Sequence, residues 1–93
     1  MGDTEFVKTL DSETGTRLRL RVTTASGRVV FFVVQLEILV DSEWRVVVRY
    51  DNSHGFTHRD EFDARGRETK KEIRLPDCAA AVQYAEQDLI DRW

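Results

Sequence analysis

The stretch Val29-Val30-Phe31-Phe32-Val33-Val34-Gln35-Leu36-Glu37-Ile38-Leu39-Val40 decides the fold. It is rich in β-branched and aromatic residues and lies between two runs of turn formers, Ala25-Ser26-Gly27 and Asp41-Ser42-Glu43, which marks a strand. Its length would also suit a helix. Its even positions, Val30, Phe32, Val34, Leu36, Ile38 and Val40, are however all apolar, and a period of two belongs to a strand that buries one face. The odd positions begin with Val29, Phe31 and Val33 and then turn polar at Gln35 and Glu37. One end of this central strand is therefore expected to be covered on both sides.

Working outward, Thr16 to Val22 sets Leu18, Leu20 and Val22 against Arg17, Arg19 and Arg21, and Trp44 to Tyr50 sets Trp44, Val46, Val48 and Tyr50 against Arg45, Val47 and Arg49. Both are half-buried strands by their alternation. Phe56 to Asp63 and Arg67 to Leu75 read as a hairpin around Ala64-Arg65-Gly66. The charged last strand suits an exposed edge, where lysines discourage further pairing. Pro76 stops it, and Asp77 is placed as N-cap of a helix over Cys78 to Arg92, with Cys78, Val82, Ala85, Leu89 and Trp93 on one stripe,. Residues 1–15 end in the turn formers Asp11 to Gly15 and read either as a short edge strand or as a flexible tail,. The expected fold is a single α+β domain over residues 1–93, an antiparallel β-meander of about five strands packed on one C-terminal α-helix.

A chain of 93 residues holds one core, with roughly 60–65% of its extended surface buried on folding. With 41% hydrophobic and 33% charged residues the composition is globular rather than disordered,. The net charge of -3 sets up no general field for phosphates, so RNA binding would need a local group of arginines. Cys78 is the one cysteine, which rules out an intrachain disulfide,. The first residues lack a basic run followed by an apolar one, and the longest apolar stretch is interrupted by Gln35 and Glu37. A cytoplasmic location with no membrane role is expected.

Chemistry concentrates in Arg49-Tyr50-Asp51-Asn52-Ser53-His54-Gly55-Phe56-Thr57-His58-Arg59-Asp60-Glu61, which holds both histidines. A three-residue loop over 52–54 would set Asp51 opposite Gly55, Tyr50 opposite Phe56 and Trp44 opposite Phe62, matching aromatic with aromatic,. In this reading His58 is a general acid or base at a partly exposed position. Asp60 or Glu72 orients its ring, and Arg49 or Arg59 binds an anionic oxygen. The plainer reading makes His58 a hydrogen-bonded sheet histidine and the arginines solvated. Asp51 to Gly55 is equally ordinary hairpin chemistry, Cys78 a packing residue, and Trp44, Tyr50, Phe56 and Phe62 core aromatics. A metal site from His54, His58 and a carboxylate is the second reading, but four residues of extended strand span ~13 Å and only a sharp bend at His54-Gly55 would bring the two together, so no metal or cofactor is assigned.

The run Arg49-Tyr50-Asp51-Asn52, followed by His54-Gly55 and His58-Arg59, resembles that of a family of small prokaryotic domains without an assigned activity, from about Phe32 to Trp93. Over the strand and loop alone it is also similar to the TumE-like toxins of toxin-antitoxin operons. That resemblance implies a histidine-bearing toxin acting on RNA, with an antitoxin as partner and with Arg49, Asp51, His54 and His58 as the matching positions. The site expected on both grounds is His58, His54, Asp60, Arg59, Arg49 and Asp51. The rival expectation is a non-enzymatic interaction module, a homodimer joined through the apolar Phe31 and Val33.

Overall fold

Alternation along the chain becomes one sheet. The computed structural model describes residues 2–52, 57–63, 65–72 and 78–92. Six strands, β1 (Gly2–Asp11), β2 (Thr16–Ala25), β3 (Arg28–Val40), β4 (Glu43–Asp51), β5 (His58–Phe62) and β6 (Glu68–Glu72), follow in sequence order as an antiparallel meander, and α1 (Cys78–Arg92) closes the chain. The α+β class and the helix bounds agree with the sequence reading. The strand count is six rather than about five, because residues 2–11 form a full edge strand. Its partners explain why: the outward arginines of β2 meet acids of β1, Arg19 pairing with Glu5 and Arg21 with Asp3, and Lys8 reaches Glu86 on the helix.

Two tight hairpins set the register of the centre. Ser26 and Gly27 between β2 and β3, and Asp41 and Ser42 between β3 and β4, all have positive φ. Two-residue loops with positive φ at both positions match the right-handed twist of the strands they join. The other local device is Gly15, at φ 72. Its carbonyl accepts from the Leu39 amide at 2.8 Å, and a Cβ there would stand 2.7 Å from that of Leu39.

The helix covers one face. Leu18 and Leu20 of β2, Phe32, Val34 and Leu36 of β3, and Val48 and Tyr50 of β4 pack against Ala81, Ala85 and Leu89 of α1. Full burial of each large apolar side chain contributes about 1.5–3 kcal/mol relative to exposure, so these positions hold the fold together. The helix stripe runs through Ala81 as well as Ala85 and Leu89, with Cys78 and Val82 at its flank. Small alanines let the helix approach the large β3 side chains. A bulge in β4 opposite Leu36 and Glu37 leaves the alternation of β3 intact: Leu36 is buried on the helix face, and Glu37 is buried on the other face beneath Arg17, Arg19 and Gln35.

Several expected details are corrected. Trp44 is exposed rather than core, lying flat under the Arg17 guanidinium at 3.7 Å. Phe62 is only half-buried. Tyr50 alone of the described aromatics in that group is core, at 1% exposure. The β4–β5 pairing sets Asp51 opposite His58, Tyr50 opposite Arg59 and Arg49 opposite Asp60, a register offset from the one that a three-residue loop would give. Aromatic matching does not set it, since the core side of β4 closes against the helix. Phe56, Pro76, Asp77 and Trp93 lie outside the described residues. Strand β6 is exposed along its length, as its charges require. Among the described residues no helix is long and apolar enough to cross a membrane.

Candidate functional site

Tyr50 points into the core, so strand alternation turns its neighbours Arg49 and Asp51 to the face that the helix leaves open. Their partners across the ladder, Asp60 and His58, share that face. There Nε2 of His58 stands 3.2 Å from Asp51 Oδ1 and 3.9 Å from Asp60 Oδ2. All three residues are buried, His58 at 1%, Asp60 at 3% and Asp51 at 6% exposure. An ionised group taken out of water without compensation costs several kcal/mol or more, and the contacts between the imidazole and the two carboxylates offset part of that cost.

Of the six residues expected in the site, the structure brings three together. Arg49 is beside them on the same face. Its Nε donates to Gln35 Oε1 at 3.3 Å, and its guanidinium lies 5.5 Å from the Phe62 ring. Arg59 is on the other face: it stands opposite Tyr50, packs 5.7 Å from that ring, pairs with Glu61 and approaches Asp88 Oδ2 at 3.6 Å. Alternation by one residue from His58 is sufficient reason. His54 lies outside the described residues. His58 itself is buried, at 1% exposure, not partly exposed as expected of a functional histidine, and two carboxylates stand near its Nε2.

Asp51 is the carboxylate that sequence reasoning undervalued. Asp51, a matching position of the resemblance, makes a shorter contact with the imidazole than Asp60, the carboxylate that with Glu72 is expected to orient it. The signal was present as Tyr50 in a core position, which dictates that Asp51 faces the other way. Asn52 is corrected too. Its Oδ1 accepts from the Phe32 amide at 3.0 Å, and its Nδ2 donates to the Val30 carbonyl at 3.1 Å and to Cys78 Sγ at 3.3 Å. It ties the end of β4 to β3 and to the start of α1, and so holds Asp51 in place from the next position.

Two further polar groups flank the cluster, and neither was expected. On the open face Glu37 accepts from Arg17 Nε at 2.6 Å and from Gln35 Nε2, with Arg19 Nε 3.3 Å away. Burial alone would push its carboxyl pKa up, but hydrogen bonds from Arg17 and Gln35 and the charges of Arg17 and Arg19 outweigh it and hold the pKa below the ordinary glutamate value,. On the helix face Tyr50 Oη donates to Asp88 Oδ2 at 2.6 Å. Burial, then the Asp88 hydrogen bond and charge, push the Tyr50 phenol well above its usual range.

Fold and site together define a small α+β domain, an antiparallel meander backed by one helix, that carries an imidazole buried between two carboxylates on its open face. The chain belongs to the family described as a domain of unknown function, DUF7718, whose match spans residues 1–93. No curated protein and no solved structure matches it.

Proposed function

We propose that the chain is a toxin-like domain that acts on RNA, paired with an antitoxin protein, and that its chemistry is centred on Asp51, His58 and Asp60. One observation carries this reading: three ionisable groups are buried together on the sheet face away from the apolar core. Apolar side chains of similar volume would stabilise the sheet as well or better, so a charged cluster at this place points to use. An imidazole backed by carboxylates accepts and returns a proton, which is what attack of a ribose 2′-hydroxyl on its neighbouring phosphodiester needs. Arg49, adjacent on the same face, supplies positive charge for a phosphate oxygen.

The test is inducible expression in a bacterial host, with growth and RNA integrity followed together. Wild type is expected to arrest growth and fragment RNA. His58→Gln and Asp51→Asn, expressed to the same soluble level, are expected to do neither. Arrest that persists in both variants, or no arrest by wild type, overturns the reading.

The interaction module is the second reading, favoured by the apolar side chains left at the surface, Phe6, Val7, Val30, Leu39 and Tyr84 among them. Phe31 and Val33, the expected dimer contacts, are half-buried within one chain and lie on the open face, Val33 next to Asp51 in the ladder. Light scattering over a dilution series decides it: a homodimer that Phe31→Lys dissociates supports this reading, and a monomer at every concentration removes it.

A further inference from the structure

We infer that Asp51, His58 and Asp60 form a binding site for one divalent transition-metal cation. The site is the cluster given above to RNA chemistry, but the inference stands on its geometry whether or not that chemistry occurs. One ligand-type atom from each residue lies within 4.8 Å of the other two. Nitrogen and oxygen ligands of zinc lie at about 2.0–2.2 Å, so two of them in tetrahedral arrangement are about 3.4 Å apart. The separations from His58 Nε2, 3.2 Å and 3.9 Å, bracket that value, and small side-chain rotations close the difference.

An independent observation points the same way. Asp60 is buried, at 3% exposure, and among the described residues its Oδ1 accepts no hydrogen bond. A buried carboxylate oxygen left without a donor is costly, and Oδ2 of the same group already faces His58. Charge completes the case. Two carboxylates and one imidazole nitrogen form an anionic ligand set of the kind that holds a dication. One nitrogen and two carboxylate oxygens suit Zn²⁺ or Mn²⁺ better than a thiolate-seeking ion, and three protein ligands leave a coordination position for water.

Sequence spacing concealed this set. The histidine pair at 54 and 58 drew attention, whereas the ligands come from two strands, with Asp51 brought to His58 and Asp60 by the β4–β5 register.

The purified full chain, stripped with a chelator, is titrated with Zn²⁺ in competition with a chromophoric chelator and, separately, with Mn²⁺ followed by electron paramagnetic resonance. One equivalent is expected to bind. Loss of an outer partner of a metal ligand typically weakens binding by about 10–100-fold, so Asp60→Asn, which removes a ligand, is expected to lose at least as much. Glu37→Gln, which changes a buried carboxylate on the same face outside the cluster, is expected to bind as wild type does. Should Asp60→Asn fail to fold, the Co²⁺ absorption spectrum of wild type gives the answer: a tetrahedral or five-coordinate nitrogen and oxygen spectrum without thiolate bands supports the site, and a thiolate band overturns it. Absence of stoichiometric binding, or equal binding by Asp60→Asn, also overturns it. Metal binding without growth arrest would remove the RNA reading alone, and arrest by protein that binds no metal would remove this inference alone.

Discussion

Replacing Tyr50 with Phe isolates the bond that joins sheet to helix. The ring keeps its place in the core and its edge contact with Tyr84, whose centroid is 6.1 Å away, while the 2.6 Å bond from Oη to Asp88 disappears. Asp88 has a side chain only 7% exposed, with Arg59 Nε at 3.6 Å, so a nearly buried carboxylate loses a short hydrogen bond. Hydrogen bonds to charged groups contribute about 1.5–3 kcal/mol, which for a domain of this size lowers Tm by roughly 10 °C. The pH dependence follows from the raised phenol pKa. A group whose folded pKa lies above its unfolded value contributes stability in full below the unfolded pKa, about 10 for tyrosine, and loses it as pH rises from there through the folded value. The stability gap between wild type and Tyr50→Phe is therefore constant near neutrality and narrows by roughly 1.4 kcal/mol at about pH 11. Urea unfolding followed by far-ultraviolet circular dichroism measures both. A gap below about 0.5 kcal/mol at neutral pH, or one that stays constant through about pH 11, would refute the reasoning.

Glu37→Gln tests the open-face network: its lowered pKa means that Glu37 contributes stability above the ordinary glutamate pKa and loses it as pH falls through the folded value. The variant should be less stable by about 1–3 kcal/mol at neutral pH and converge on wild type in acid, as read by thermal melts across that range. Gly15→Ala adds a Cβ at positive φ and 2.7 Å from Leu39 Cβ, and should cost at least about 1–2 kcal/mol. Equal melting temperatures would show that the β1–β2 turn relaxes freely.

Much of the architecture follows from local pattern alone. The twelve residues from Val29 to Val40 could be placed as the central strand because β-branched composition and period two agree, and the helix over Cys78–Arg92 could be bounded because proline and then alanine-rich periodicity follow the last strand. Strand β1 was less legible. Its sequence mixes charges with Phe6, Val7 and Leu10 and acquires meaning only when Arg19 and Arg21 of another strand stand beside Glu5 and Asp3.

The candidate site divides in the same way. Composition places both histidines and their carboxylates in one segment, but the expectation of His58 and Arg59 in one site fails because neighbours in a strand point to opposite faces,. Which carboxylate touches which nitrogen depended on the β4–β5 register, and a one-residue change in register exchanges the faces of every side chain in a strand. That register is a tertiary outcome: burial of Tyr50 against α1 and the hold of Asn52 on β3 fix where β4 ends, and those contacts join residues far apart in the chain. Local pattern therefore specified the inner strands, the helix and the chemistry available to them, but not β1. Only the packed structure decided that Asp51, His58 and Asp60 meet, because pairing energies between strands and helix choose among registers that local pattern leaves equivalent.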